Sequence, residues 1–338
     1  MPYTITVQPS ARQFVVESDE TILAAAIRQG IGLPYSCRDG VCGTCKCRVV
    51  RGRVRARPQR AQALSGSDAA EGYALICSVS PESDVVLEST AVSAVGMFPV
   101  RKMPCRVTSI GRPAPDVAIL RLETPRNTVL EYHPGQYIEL SMRDGTRRKF
   151  SLATADGHAG LELHIRHLPG GKFSGQVFNT LKEKDVLHLE GPFGTFMLNA
   201  SVLPIVMLAS GTGLAPIKAM LERVRSRGIA VPIVLYWGCR RRTDLYLHDW
   251  ALQLSQAVPN LRYIPVLSEP HVEDRWDGRT GLVHKAVMAD LPDLSKHQVY
   301  ACGVPIMVES ARAEFTSCCG LAPVEFHSDS FFPDRGSS

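Results

Sequence analysis

The sequence predicts a multidomain chain of α+β and α/β construction: a small mixed N-terminal unit, an antiparallel β-barrel, and a C-terminal parallel sheet flanked by helices. Three observations carry this. The 338 residues exceed the size at which one hydrophobic core usually stops growing, so two or three domains are expected. The texture of the chain changes twice, near residue 93 and near residue 200. Four cysteines also fall within eleven positions in "CRDGVCGTCKC", residues 37–47, with glycines between them.

Composition is that of an ordinary globular protein, 45% hydrophobic and 21% charged. The longest apolar run, "VLPIVMLA" at 202–209, falls short of the roughly twenty residues that span a bilayer, and "MPYTITVQPS" carries no basic-then-apolar targeting signal. A soluble cytoplasmic protein with no membrane attachment is expected. Ten cysteines in 338 residues lie well below the density of a disulfide scaffold, so the thiols are read as reduced. The net charge of +5 matters less than its placement, because Lys46 to Arg60 holds seven basic residues and no acid. Alternation in "RGRVRARPQR" sets Arg51, Arg53, Arg55 and Arg57 on one side of an extended segment, either a solvated strand face or a docking patch for an acidic protein. No interleaved aromatics accompany the run, which argues against nucleic acid.

The elements follow in order. "YTITVQ" and "QFVVES" alternate as the strands of a hairpin. "SDETILAAAIRQG" then offers Asp19 as N-cap, Ile22, Leu23, Ala26 and Ile27 at helical spacing, and Gly30 as the stop. Strands are expected again at "CRVVRG" and "DVVLEST", completing a unit over residues 1–93. "AVSAVGMFPVRKM" supplies a linker, placed at 94–101. From 102 to 199, "CRVTSIG", "VAILRLET", "GQYIELSM", "KFSLAT", "LELHIRHL" and "DVLHLEG" are short strands of regular spacing, the texture of an antiparallel barrel, with one helix around Gly175 to Leu181. From 200 to 338, strands "PIVMLA", "PIVLYWG", "RYIPVLS" and "QVYACG" alternate with helices "PIKAMLERVRSRG", "YLHDWALQLSQA" and "HKAVMADL", which is βαβ succession.

Spacing separates the chemistries open to the cysteine loop. Cys37, Cys42 and Cys45 form C-x4-C-x2-C, and Cys77 follows thirty-two positions after Cys45. Plant-type two-iron clusters use three loop thiolates and a distant fourth in this arrangement. Zinc ordinarily takes two close C-x2-C pairs, and the second pair is missing. Gly40 and Gly43 permit the tight curl that aims N–H groups at sulfur, while Cys47 reads as a small core residue. The stretch "YSCRDGVCGTCKCRV" with "LICSV" resembles a plant-type ferredoxin domain of β-grasp fold, which implies a [2Fe–2S] centre near −400 mV held by Cys37, Cys42, Cys45 and Cys77.

"RRKFSLA" at 147–153 is similar to the R-x-[YF]-[ST] motif of the ferredoxin–NADP reductase superfamily. The resemblance implies FAD, with Arg148 at its phosphate, Lys149 beside it, Phe150 against the flavin and Ser151 near N5. In "HIRHLPGGKFSGQVFN", a strand runs into glycines at the start of a helix, where backbone N–H groups suit a pyrophosphate. The same resemblance places Ile165, Arg166, Gly170, Gly171, Lys172, Phe173 and Ser174 along the FAD and makes "GPFGTF" at 191–196 the turn that closes the barrel.

"LASGTGLAPIKAML" follows a buried strand and opens a helix, but it reads G-x-G-x-x-P and meets the dinucleotide fingerprint only in part. Pro216 suits an early helical position, where no N–H is lost. The superfamily's GTGxAP turn would bring Gly211, Thr212 and Gly213 to the pyridine nucleotide. Arg240, Arg241 and Arg242 end the second strand and would accommodate a 2′-phosphate, which leans toward NADPH and leaves NADH open. "YACGVPIMVESA" resembles the C-G-x-P turn beside the nicotinamide, implying Cys302 near the hydride path with Gly303 and Pro305 shaping the turn. "EFHSDSFFPD" is similar to the superfamily's end segment, implying Asp329 as a polar neighbour of N5 and Phe331 as an apolar cover.

Together the three segments resemble the single-chain reductase components of multicomponent (Rieske-type) oxygenases and, equally, the CDP-6-deoxy-glucoseen reductase group. The expected activity is transfer of electrons from NAD(P)H through FAD and the cluster to an acceptor, an oxygenase component docked on the Lys46–Arg60 run or a deoxysugar dehydrase. The contrasting expectation is a metal-stapled binding protein without catalysis.

Overall fold

The computed structural model describes residues 2–57, 63–89, 92, 97–142, 144–145, 147–155 and 160–332. Arg60, residues 94–96 of the expected linker and the last two residues of "EFHSDSFFPD" lie outside the described residues. The backbone separates into two compact bodies, residues 1–101 with 191–196, and residues 102–190 with 197–338.

In the first body, Ile5 and Val7 of β1 (Tyr3–Gln8) and Phe14 and Val16 of β2 (Arg12–Val16) alternate inward. Each such fully buried side chain stabilises the fold by about 2 kcal/mol. The helix α1 (Ile22–Arg28) is capped by Thr21, whose hydroxyl accepts the Ala24 N–H at 3.1 Å, two residues later than the expected Asp19. The reason is local: Glu20 N–H bonds back to Glu17, so Asp19 lies in a turn before the helix begins. The remaining elements are β3 (Lys46–Arg51), β4 (Val54–Ala56), α2 (Gly66–Ala70), β5 (Tyr73–Leu75), β6 (Val79–Pro81) and β7 (Val85–Glu88). The sheet has the order β2-β1-β7-β3-β5, with β1 and β7 parallel and β4 paired with β6 apart.

This arrangement corrects the arginine run. Gly52, at φ +98°, turns the chain between β3 and β4, so Arg51 ends one strand while Arg53 and Arg55 belong to the next stretch. No single extended face carries all four.

The second body begins with six strands, β8 (Arg101–Ala114), β9 (Val117–Glu123), β10 (Tyr137–Ser141), β11 (Arg147–Ser151), β12 (Leu161–Arg166) and β13 (Val186–Phe193), in the order β11-β10-β13-β8-β9-β12. The pairs β8/β9, β9/β12 and β10/β11 run antiparallel. An antiparallel bridge between Leu152 and Leu163 closes the barrel, which corrects the expectation that "GPFGTF" closes it. That segment continues an interior strand, and Thr195 instead donates its N–H to the Tyr35 carbonyl and accepts the Tyr35 N–H on its hydroxyl within the first body, of which 191–196 is a part. The helix α3 (Lys172–Asn179) starts three residues before the expected one, directly at the glycine turn.

The last sheet contains β14 (Ile205–Ser210), β15 (Ile233–Cys239), β16 (Leu261–Leu267), β17 (Arg279–Thr280), β18 (Gln298–Gly303) and β19 (Phe326–Ser330) in the order β17-β16-β15-β14-β18-β19, with all pairs parallel. Helices α4 (Leu214–Arg227), α5 (His248–Ala257), α6 (Val283–Asp290) and α7 (Pro305–Cys318) connect them. Buried on both faces, β14 and β18 read as unbroken apolar runs, as strands in a covered parallel sheet do. Among the described residues no helix is long and apolar enough to cross a membrane.

Candidate functional site

The cysteine loop folds as the spacing requires. Gly40 and Gly43 take φ of +75° and +72°, and Arg38 joins them at +63°. The curl brings the four thiols together two by two. Cys45 Sγ lies 3.2 Å from Cys77 Sγ, and Cys37 and Cys42 share a side-chain hydrogen bond. The hydrogen bond from Cys42 is the main cause that lowers the Cys37 thiol to about 5, helped by the N–H groups of Asp39, Val41 and Cys42. Cys77 is lowered by Cys45 and by the Gly40 N–H. Two close thiol pairs suit two irons with two thiolates each. The donor set therefore fits a [2Fe–2S] cluster. Cys47 stands apart: it is 2% exposed on β3, and burial pushes its thiol up to about 11.

The flavin-side residues lie on β11, β12 and the turn into α3. Ser151 is buried at the end of β11, Phe150 is half-buried with its ring 4.8 Å from that of Phe173, and Arg148 donates to the Arg147 carbonyl. Lys149 is half-buried between them. Ile165 and Phe173 carry their side chains into the barrel core, so only their backbone is available to a cofactor. Ser174 also departs from expectation. Its buried hydroxyl accepts the Leu168 N–H at 3.1 Å and donates to the Leu168 carbonyl, so it fastens the Gly170–Gly171 turn. What remains for a pyrophosphate is the start of α3, which has no side-chain cap, beside the exposed Lys172. Arg166 supplies the firmer sign. Its Nη1 reaches Asp116 at 3.4 Å, but Nε and Nη2 are buried and have no hydrogen-bond partner among the described residues. Buried guanidinium nitrogens left in this state carry a cost that an anionic ligand would relieve, so the residues present fit FAD.

On the sheet side, Arg166 packs against Gly211, bringing the barrel residue and the nucleotide turn together. The chain passes from β14 through Gly211, Thr212 and Gly213 into α4, where Pro216 is the third residue. A Cβ on Gly213 would overlap the Cys302 carbonyl, and one on Gly303 would overlap the Ser210 hydroxyl, which also accepts the Val304 N–H. Two turns thus meet at backbone contact distance, and Pro305 starts α7 behind them. Cys302 is fully buried and pairs in register with Asp329 of β19, while Phe331 N–H bonds to the Gly303 carbonyl. Burial, and then the charge of Asp329, push the Cys302 thiol well above its ordinary range, so it stays neutral.

Arg241 is not the free cation that the sequence suggests. Its Nε donates to buried Asp274 at 2.9 Å, and Glu273 lies 3.7 Å from its Nη2. Arg242 donates to the Asp274 carbonyl. Arg240 is exposed and, among the described residues, makes no ion pair. Sequence reasoning passed over Glu162, His164 and Lys218, which are buried polar side chains between the barrel and α4. The signal was present in "LELHIR", where Glu162, His164 and Arg166 share the strand face opposite Leu161, Leu163 and Ile165.

Known proteins match this layout along its whole length. Residues 5–82 match the family described as 2Fe-2S iron-sulfur cluster binding domain, 104–198 the oxidoreductase FAD-binding domain, and 207–313 the oxidoreductase NAD-binding domain. The chain is 38% identical to a CDP-6-deoxy-L-threo-D-glycero-4-hexulose-3-dehydrase reductase of Yersinia pseudotuberculosis over 99% of this chain and 100% of that protein. It is 32% identical to a terephthalate 1,2-dioxygenase reductase component of Comamonas over 98% of each. Among solved structures, a cytochrome P450 reductase of Amycolatopsis superposes with a TM-score of 0.82 at 32% identity, covering 98% of this chain and 99% of that one.

Proposed function

Since the chain belongs to the family of reductases that join a [2Fe–2S] ferredoxin domain to FAD- and NAD-binding oxidoreductase domains, we propose that it delivers electrons from NAD(P)H to an oxygenase component. The bound groups supply the redox chemistry, two-electron oxidation of NAD(P)H at FAD and one-electron delivery from the cluster, and the protein supplies binding, orientation and electrostatics. Cys37 and Cys42, paired by a hydrogen bond, and Cys45 and Cys77, likewise paired, would hold the [2Fe–2S] cluster. Arg166 and the start of α3 receive the FAD pyrophosphate, while Arg148, Lys149, Phe150 and Ser151 line the flavin. Gly211, Thr212 and Gly213 admit the nucleotide. Arg240 meets a 2′-phosphate when one is present. Cys302, neutral and enclosed, with Gly303, Pro305, Asp329 and Phe331, shapes the wall beside the reacting rings. The modules are residues 1–93, 102–199 and 200–338. The observation that carries the reading is the two-by-two pairing of thiols, since NAD(P)H oxidation by a flavin alone has no use for it.

The acceptor would dock on a smaller basic surface than the composition suggests. Lys46 pairs with Asp68, Arg48 with Glu88 and Arg55 with Glu82, and Arg57 is bonded to Ser80 and the Asp19 carbonyl. Arg51 and Arg53 remain exposed without an ion pair among the described residues. A second reading, electron donation to a nucleotide-hexulose dehydrase, is favoured by the 38% full-length identity to a reductase of that kind.

Anaerobic mixing with NAD(P)H tests the shared core: flavin and cluster absorbance should bleach together in protein that contains two irons per FAD. A colourless protein containing zinc would sink both readings and support a binding protein. Turnover of a Rieske oxygenase stripped of its own reductase supports the first acceptor. Turnover only with a nucleotide-hexulose dehydrase selects the second.

A further inference from the structure

Where the barrel meets α4, a set of polar side chains lies under the surface: Glu162 and His164 are each 6% exposed and Lys218 is 7% exposed. Lys218 Nζ sits 2.5 Å from Glu222 Oε1 and 3.2 Å from Glu162 Oε1, and donates to the Ala153 carbonyl at 3.1 Å. Glu222 Oε2 accepts the Ala155 N–H at 3.2 Å. His164 Nε2 lies 3.1 Å from Glu162, and its Nδ1 lies 2.8 Å from the Tyr246 hydroxyl. Tyr246 packs edge-on to Trp237, whose Nε1–H donates to the Gly211 carbonyl at 3.0 Å. Burial would raise the Glu162 carboxyl, but the His164 hydrogen bond and the Lys218 charge bring it down to about 2, so Glu162 is ionised.

Buried ion pairs are generally no more stabilising than apolar side chains of the same volume, so stability alone does not account for this arrangement. Its direction does. The outer ends of the network all grip backbone: Ala153 and Ala155, which follow Ser151, and Gly211, which opens the nucleotide turn. Because α4 grows out of that turn, a cation on its second turn ties the flavin strand to the nucleotide turn.

We infer that Lys218, with His164 and Tyr246, is a positioning residue for hydride transfer, fixing the Ser151 strand against the Gly211–Gly213 turn without touching the reacting atoms. The inference rests on the reading of these two segments as flavin and nicotinamide sites. Misplacement of reacting groups by about an ångström lowers rates by about a hundredfold, so partial loosening is expected to cost at least about tenfold.

The test uses the holoenzyme and Lys218→Met, Lys218→Arg and Tyr246→Phe. Flavin reduction at saturating NAD(P)H is followed by stopped flow, the isotope effect is measured with 4-deuterated nucleotide, and oxidised nucleotide is titrated by calorimetry. Lys218→Met is expected to slow saturated reduction at least about tenfold and to raise the isotope effect, with FAD content and the dissociation constant for oxidised nucleotide unchanged within about twofold. Lys218→Arg should recover part of the rate. Tyr246→Phe loses one hydroxyl and keeps its packing, so it decides the matter if Lys218→Met does not fold, and it should show a smaller loss with the same rise in isotope effect. An unchanged saturated rate and isotope effect in these variants, or a loss confined to nucleotide affinity, overturns the inference. Failure of the unaltered protein to bleach with NAD(P)H would instead overturn the reductase reading.

Discussion

Cys47 lies two positions from Cys45, yet its side chain is buried on β3 and bonds to Ser89, while Cys37 pairs with Cys42 and Cys45 with Cys77. The four ligand thiols meet in pairs and Cys47 joins neither pair, so proximity in sequence does not make it a ligand. Cys42→Ser is expected to abolish cluster absorbance while leaving NAD(P)H-dependent ferricyanide reduction within about twofold, and Cys47→Ala to retain both. Cluster loss in the Cys47 variant, seen by visible absorbance and iron content, would reverse the assignment. The same logic of partners redistributes the arginines. The Arg241 guanidinium is committed to Asp274, whose carboxyl it holds below the usual range, whereas Arg240 has no such commitment. Arg240→Ala should raise KM for NADPH several-fold more than for NADH, and Arg241→Ala should change both alike; equal effects of Arg240→Ala on the two nucleotides would remove the 2′-phosphate role. Three adjacent arginines look equivalent in sequence because the carboxylate that distinguishes them lies more than thirty positions away.

Elements were legible where local patterning alone decides them. The alternation in "YTITVQ", the apolar runs of β14 and β18 and the glycine stop after α4 appear in the fold at the positions the pattern indicates. Boundaries set by longer-range partners were not: Thr21 takes the cap from Asp19, the Gly52 turn splits the arginine run, and Leu152 and Leu163 close the barrel. The nucleotide turn falls between these cases. Its glycines announce a close approach, but the object approached, the Cys302 carbonyl, becomes visible only in the folded chain. Gly213→Ala would force the GTG turn and the C-G-x-P turn apart. The expected result is at least a tenfold rise in KM for NAD(P)H with bound FAD and cluster unchanged, read from steady-state kinetics and absorbance. Wild-type affinity in that variant would mean the two turns yield freely and do not form one site.

At the scale of the molecule, charge acts through the surface and through burial in opposite ways. With Arg51 and Arg53 exposed and without an ion pair among the described residues, electron delivery to an acidic partner should slow as salt rises, and Arg51→Ser with Arg53→Ser should flatten that dependence; a salt-independent rate in the unaltered protein would remove the docking role. Histidines shielded from water set the response to acid: His164 and His284 are buried, and His248, His297 and His327 half-buried. Burial lowers the pKa of His164, His327, His297, His284 and His248, so each stays neutral in the fold at neutral pH. An imidazole in the unfolded chain titrates near about 6.5, so below that value the unfolded chain binds more protons than the folded one. Their contribution is therefore complete above about pH 7 and is lost as pH falls through about 6.5 toward the lowered folded values. Glu162, held at about 2, has the opposite sign of group but loses its contribution only below about 4.5, outside that window. The melting temperature should accordingly fall between about pH 7.5 and about pH 5.5, with His164 responsible for up to about 1.4 kcal/mol per pH unit. Calorimetry on the unaltered protein and on His164→Gln isolates that share: the variant starts lower and loses less over the same interval, and a melting temperature that stays level in both would show that the buried imidazoles take up their protons without unfolding.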